Sequence, residues 1–137
     1  MPRRTVLSNE YFDLFYHEED KIIHHVFKEK LDSENFPKVL LAGTEVLKTN
    51  GAIKWLSDNR RHTIELTDED NAWANNVWFP QTMRAGWKYW AIVVPDSIVN
   101  RADLVRYVNS FHGKGIKVQV FTDDQKALDW LKRVDQV

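Results

Sequence analysis

The pattern of apolar and polar positions predicts a hairpin near the beginning of the chain. Residues 11–16 are mostly apolar and aromatic, a polar turn follows, and residues 21–27 regain β-branched and aromatic character. Two such segments around a short turn are typical of antiparallel strands. We expect residues 1–9, which precede this hairpin, to form a loosely ordered N-terminal arm.

The remaining pattern alternates between helical spacing and strand-like runs. Apolar positions at helical spacing, together with capping residues, predict four helices at residues 36–47, 67–86, 101–111 and 122–131. Apolar or alternating runs predict three further strands at residues 52–58, 87–94 and 116–121. The order ββαβαβαβα indicates an α/β fold with a mixed, mostly parallel five-stranded sheet and about four helices. Because no linker or repeat divides the chain, we expect a single domain over residues 1–137.

Pro80 lies inside the second predicted helix. It has no backbone N–H, and its ring would clash with the carbonyl of Asn76 in a straight helix. We therefore expect the helix that begins at Thr67 to bend or break between Asn76 and Pro80. Such a break would expose Trp78 or Phe79 as a hydrophobic spot on the surface.

The composition narrows the functional classes. The chain has 137 residues, 43% hydrophobic and 28% charged, which suits one folded domain with its own core. A net charge of -1 offers no basic surface for nucleic acid, and the absence of cysteine excludes disulfides and zinc–thiolate sites. No apolar run is long enough to span a membrane and the N-terminal sequence does not resemble a signal peptide, so we expect a cytoplasmic protein.

No motif for metal, nucleotide or hydrolase chemistry occurs in the sequence, so it predicts no catalytic residue, metal ligand or cofactor. Adjacent His24 and His25 are not a ligand pair, because neighbouring residues of a strand face opposite sides of the sheet. One polar cluster remains, directly after the third predicted strand: Asp58, Asn59, Arg60 and His62. Asp58 and His62 could form an acid/base pair and Arg60 could hold an anion, or the cluster could be an ordinary solvated loop.

Aromatic residues are concentrated around the second predicted helix. Four of the six tryptophans fall within eighteen residues: Trp73, Trp78, Trp87 and Trp90. Together with Phe79 they could fill the core, form a subunit interface or line an apolar pocket. The candidate binding residues from this region are Trp73, Trp78 and Phe79.

Three segments, residues 55–60, 87–93 and 120–131, together with the order of elements, resemble the SpoIIAA-like branch of the STAS domains. The resemblance implies partner-switching regulation, or in some members the binding of apolar ligands. The sequence departs from the family at residues 63–71, where the phosphorylatable Asp-Ser-Ser/Thr-Gly type motif is missing. Thr67 is the phosphorylation candidate there, but the three carboxylates that follow it would repel a phosphate.

These observations predict a non-enzymatic regulatory or interaction module of STAS type. It would act by binding a protein partner or by self-association, for example as a homodimer. The alternative is a domain that binds a small apolar ligand or lipid, using the aromatic region of the second helix and the loop after the third strand. An enzyme that uses Asp58, Arg60 and His62 is the third hypothesis.

Overall fold

The computed structural model describes residues 3–62 and 66–136. Within them the chain forms one six-stranded sheet in which the strands lie in sequence order. The strands are β1 (Arg4–Ser8), β2 (Phe12–His17), β3 (Ile22–Phe27), β4 (Lys54–Asp58), β5 (Tyr89–Val93) and β6 (Lys117–Phe121). The first three strands pair antiparallel, and β3 to β6 pair parallel. The predicted α/β class and mixed sheet are confirmed.

The prediction of five strands and a loosely ordered arm is wrong for residues 4–8. These residues form β1, which pairs antiparallel with β2 from Arg4 opposite Tyr16 to Ser8 opposite Asp13. Most side chains of β1 are exposed, so the strand has no apolar alternation that the sequence could reveal. Met1 and Pro2, the first residues of the expected arm, lie outside the described part of the chain.

Four helical stretches pack on the sheet. They are α1 (Asn35–Asn50), α2 (residues 68–84), α3 (Ala102–Asn109) and α4 (Asp124–Arg133). The connections from β3 to β4, β5 and β6 each advance by one strand in the same direction. Because such crossovers are right-handed, α1, α2 and α3 all lie on one face of the sheet. The last helix follows the last strand and packs on the opposite face, where its Ala127 and Leu131 meet Leu56 and Val93.

The second helix contains a π-helical turn where a break was expected. It is α-helical over Asp68–Trp73, π-helical over Ala74–Trp78 and α-helical again over Phe79–Arg84. The Phe79 N–H donates to the carbonyl of Ala74, five residues back. This wider turn lies directly before Pro80 and shifts the hydrogen-bond pattern where the proline has no N–H to contribute. The interruption is therefore a change of helix type rather than a break.

The predicted exposure of Trp78 or Phe79 is wrong. Their exposed fractions are 4% and 7%, because the continuous helix turns both rings inward, Trp78 against α1 and Phe79 against Trp90 and Phe111. The Trp78 indole N–H donates to the Leu40 carbonyl at 3.2 Å and to Thr44 Oγ1 at 2.9 Å, which satisfies its one polar atom inside the core. The Phe79 ring stacks on Phe111 with ring centroids 4.6 Å apart. Both side chains thus belong to the main core.

Candidate functional site

A small cavity lies between the helices and the carboxyl ends of β3 and β4. Its volume is about 100 Å³. The wall is mainly aromatic and aliphatic, with contributions from Phe27, Phe36, Leu40, Trp78 and Trp90. In open parallel sheets, ligands favour this edge, beyond the carboxyl ends of the strands. Its position and its mainly apolar lining make this cavity the candidate site.

Three exposed polar side chains mark the side of the pocket that faces solvent. Asn71 and Asn75 line it from α2, and Tyr107 lines it from α3. The Tyr107 ring is 39% exposed, but burial around its hydroxyl raises its pKa to about 12. The hydroxyl therefore stays protonated and uncharged at the mouth of the pocket.

His25 enters the pocket from β3. Alternation along this strand turns Ile23, His25 and Phe27 toward the helices, and the His25 ring stacks on Phe27 with centroids 4.1 Å apart. The Trp55 indole Nε1–H donates to His25 Nδ1 at 2.9 Å. Burial lowers the pKa of His25 to about 3, an effect that the neighbouring Asn59 and Asp58 only partly oppose. His25 is therefore a neutral side chain at physiological pH.

Asn59 lies at the exit of β4, and its backbone is fixed by an N–H bond to the Val93 carbonyl at 2.9 Å. Its side chain approaches His25 closely enough to raise the pKa of that histidine, but the geometry falls short of a hydrogen bond. Asn59 Oδ1 and His25 Nε2 are both buried, and neither has a hydrogen-bond partner among residues 3–62 and 66–136. Two unpartnered polar atoms thus lie together in an otherwise apolar cavity.

Ser57 adds a third polar group from β4. The Trp90 Nε1–H donates to Ser57 Oγ at 2.9 Å, and Ser57 is buried among the lining residues. An indole nitrogen can only donate, so Ser57 is the acceptor and keeps its own hydroxyl hydrogen to donate elsewhere. Among the described residues that line the pocket, none is aspartate, glutamate, lysine or arginine, so this part of the lining is uncharged.

The predicted acid/base pair of Asp58 and His62 does not form. Asp58 faces the other side of the sheet, is buried, and accepts two bonds from the Arg60 guanidinium, at 3.0 Å from Nε and 2.7 Å from Nη2. Arg60 Nη2 also lies 3.6 Å from Asp124 at the beginning of α4. The guanidinium that could have held an anion is therefore already paired with two carboxylates of the protein.

His62 lies apart from Asp58, with its ring edge-on to Phe27 at a centroid distance of 6.0 Å. Burial lowers its pKa, and its two ring nitrogens find no hydrogen-bond partner in the described part of the chain. Trp73 is half-buried and meets Phe36 edge to face at 6.1 Å, but it does not line the pocket. Of the predicted binding residues, Asn59 and Trp78 are the two that the cavity brings together.

Thr67 caps α2, as its position in the sequence predicts. Its Oγ1 accepts a hydrogen bond from the Asp70 backbone N–H at 3.1 Å. The hydroxyl that would carry a phosphate thus has a structural role at the beginning of the helix. The preceding residues 63–65, part of the segment compared with the phosphorylation motif, lie outside the described residues.

Sequence reasoning missed His25 and Ser57 as site residues. The signal for His25 is a histidine inside a strand whose other residues are nearly all apolar, because such a residue must be buried. Its adjacent partner in the sequence, His24, faces the opposite side of the sheet and pairs with His17 at 3.0 Å. Because His24 and His25 face opposite sides of the sheet, the contacts of each histidine have to be predicted separately, and the sequence analysis did not do this.

Comparisons of the chain with protein-family models, curated proteins and solved structures found no match. In the part of the chain that the structure describes, no helix has both the length and the apolar character needed to cross a membrane. Among the same residues, no group of three or more His, Cys, Asp or Glu side chains could hold a metal ion. The geometry of the pocket is therefore the basis for a functional proposal.

Proposed function

We propose that the protein is a non-catalytic binding domain of STAS type that holds a small, uncharged ligand in the pocket between α2 and the ends of β3 and β4. The observation that carries the proposal is the pair of buried, unpartnered atoms His25 Nε2 and Asn59 Oδ1. A buried polar group without a partner costs about 1–3 kcal/mol. A ligand that bonds with both atoms would remove this cost.

The chemistry of the pocket supports binding rather than catalysis. The pKa of His25, about 3, makes its ring a poor proton acceptor near neutral pH. The charged side chains nearby, Asp58 and Arg60, form an ion pair with each other on the other side of the sheet. What remains around the cavity is a set of aromatic walls with a few hydrogen-bonding groups.

The volume of the cavity favours a small ligand over a lipid. An engineered apolar cavity of about 150 Å³ holds one benzene molecule. The present cavity, about 100 Å³, takes the end of a small molecule, with the remainder reaching the mouth at Asn71 and Tyr107. A whole acyl chain would require the helices to separate.

A pair of matched variants tests the pocket. Ala74 lines the cavity from the π turn of α2, so Ala74→Leu places three more carbon atoms in it. Ala72 is exposed on the same helix, and Ala72→Leu adds the same atoms outside the cavity. A library of small uncharged fragments is screened against the ¹⁵N-labelled protein by NMR. We expect fragment-induced shifts at Ser57, Asn59 and Asn75 in the wild-type protein and in Ala72→Leu, but not in Ala74→Leu.

Two outcomes of this screen would contradict the proposal. One is that fragments shift residues elsewhere and leave the pocket residues unchanged. The other is that Ala74→Leu, still folded by its dispersed spectrum, binds the same fragments as the wild-type protein. Native mass spectrometry of gently purified protein complements the screen, because a ligand retained from the cell appears as added mass.

A second candidate function, association with a protein partner or a second copy, is supported by two exposed apolar side chains. Leu41 of α1 is 43% exposed and Val77 of α2 is 48% exposed. Leu41 follows Leu40 in α1, and Val77 precedes Trp78 in α2. The Trp78 indole N–H donates to the Leu40 carbonyl and so joins the two helices. Light scattering of the wild-type protein and of Leu41→Ser/Val77→Ser tests this candidate. A wild-type protein that is monomeric at all concentrations and retains no partner in a pull-down would remove it.

A further inference from the structure

His25 presents a hydrogen-bond donor to the pocket, and its direction is fixed by Trp55. Because the Trp55 indole can only donate, His25 Nδ1 must accept, at the observed distance of 2.9 Å. A histidine ring whose Nδ1 accepts has its hydrogen on Nε2. The unpartnered Nε2 of His25 is therefore an N–H group that seeks an acceptor.

Asn59 presents the complementary group beside it. Its Oδ1 is a carbonyl oxygen that seeks a donor, and it is buried without one in the described part of the chain. His25 and Asn59 line the same cavity, and the Asn59 side chain raises the pKa of His25. The pocket thus offers a donor and an acceptor side by side, and the Ser57 hydroxyl supplies a further donor on the neighbouring β4.

The described lining offers no counter-charge to a charged ligand. Among residues 3–62 and 66–136, those that line the cavity include no side chain that is charged at neutral pH, since His25 is neutral and Tyr107 is protonated. An ammonium or carboxylate group buried there would lose its hydration without gaining a counter-charge. Flat aromatic walls, among them Trp78 and Trp90, favour a planar group between them.

We propose that the pocket recognises the edge of an uncharged amide, as found in a primary carboxamide, a lactam or a pyridone ring. The ligand carbonyl accepts from His25 Nε2–H, and the ligand N–H donates to Asn59 Oδ1. The proposal rests on the ligand-binding function proposed above and adds the chemical class of the ligand. Neither a hydrocarbon nor a carboxylate satisfies both protein atoms.

The probes for the test are 2-pyridone, its N-methyl derivative and benzene. The first has a carbonyl beside an N–H, the second keeps the carbonyl and loses the N–H, and the third has neither. Each probe is titrated into the wild-type protein and into Asn59→Leu. Binding is measured from the NMR shifts of the backbone amides around the pocket and of the His25 Nε2–H resonance. Probes of this size bind with Kd values of about 1 mM, which such titrations measure.

We expect 2-pyridone to bind the wild-type protein about tenfold more tightly than N-methyl-2-pyridone, since one buried hydrogen bond is lost. In Asn59→Leu the two probes should bind equally. The His25 Nε2–H signal should shift with 2-pyridone. The comparison of probes on the wild-type protein stands even if the variant does not fold.

Other outcomes overturn the proposal in distinguishable ways. If all three probes shift the pocket residues with similar Kd values, the pocket binds small rings but does not recognise amides. If no probe shifts the pocket residues, and a crystal structure shows only a water between His25 and Asn59, both this proposal and the proposed function fail.

Discussion

Gly43 of α1 lies directly against the indole ring of Trp55, the central tryptophan of the sheet. A Cβ atom at position 43 would come within 2.8 Å of Trp55 Cζ2, and closer still to Cη2. Trp55 is fully buried, and it also donates the hydrogen bond that orients His25. The absence of a side chain at Gly43 thus lets α1 approach the sheet closely enough to cover the tryptophan behind the pocket.

Replacing this glycine should destabilise the fold. Gly→Ala in a helix normally stabilises by about 1 kcal/mol, but here the added methyl group must displace a buried ring. We expect Gly43→Ala to lower the free energy of unfolding by about 1–3 kcal/mol, measured by urea denaturation. Glu45→Ala, at an exposed position of the same helix, should change it by less than about 0.5 kcal/mol. A stabilised Gly43→Ala would show that the two groups are not in contact.

Lys54 and Asp135 connect the beginning of β4 with the end of the chain. Lys54 Nζ lies 2.8 Å from Asp135 Oδ1, and the lysine side chain is only 8% exposed. Asp135→Asn leaves a buried ammonium without its counter-charge, so we expect a loss of about 1–3 kcal/mol in urea denaturation at pH 7. In a Lys54→Met background the same substitution should have almost no effect. Equal effects in the two backgrounds would rule out the interaction.

The Lys54–Asp135 pair should also weaken in acid. The hydrogen bond from Lys54 lowers the pKa of Asp135 below its ordinary value of 3.8. The stabilisation is therefore present above the unfolded-state pKa and is lost as the pH falls through the lower folded-state value. The difference in stability between Asp135→Asn and the wild-type protein should accordingly shrink as the pH falls below 3.8.

The partly buried His17 and the buried His24 and His25 should make the protein sensitive to mild acid. Burial lowers the pKa of His17 to about 4, of His24 to about 2 and of His25 to about 3; the cationic Arg3 adds to the effect on His17 and His24. The unfolded chain takes up these protons near pH 6.5, while the folded protein does not. Stability is thus full above pH 6.5 and falls as the pH decreases toward 4, by up to about 1.4 kcal/mol per pH unit for each histidine.

Urea denaturation at pH 7.5, 6, 5 and 4.5 measures this slope. Replacing His24 by leucine removes one of the histidines whose pKa is lowered, so the loss of stability between pH 6 and 4.5 should become smaller. Stability that stays constant between pH 7.5 and 4.5 would mean that these histidines are accessible to protons in the folded state.

The sequence was sufficient for the parts of the fold that depend on burial. The hairpin, the three later strands and all four helices appear close to their predicted bounds, because buried faces leave a periodic pattern. β1 left no such pattern, since it lies at an edge with most side chains exposed. The π turn before Pro80 could not be predicted either, because the sequence shows that a proline disturbs a helix but not how the helix adapts.

For the candidate site, the sequence located the region but not the chemistry. The exit of β4 and the aromatic part of α2 do meet at one pocket, and Asn59 and Trp78 line it. For Arg60 the sequence left an anion site and an ordinary loop open, because its pairing with Asp58, two residues back in the chain, depends on side-chain direction. His25 was missed because the role proposed for it depends on which ring nitrogen accepts from Trp55, and this is determined only after the two strands pair.

The π turn of α2 also sets the phase of the helix. A π turn contains one more residue than an α turn would need, and each helical residue advances by about 100°. Ala74 and Asn75 line the pocket, and Thr82 bonds to Thr44 in the core. The extra residue of the π turn therefore sets the angle about the helix axis between the first two residues and Thr82. The length of this segment is consequently part of the site. A chain one residue shorter between Ala74 and Trp78 would form a more regular helix and rotate the pocket-lining residues away from those that anchor it.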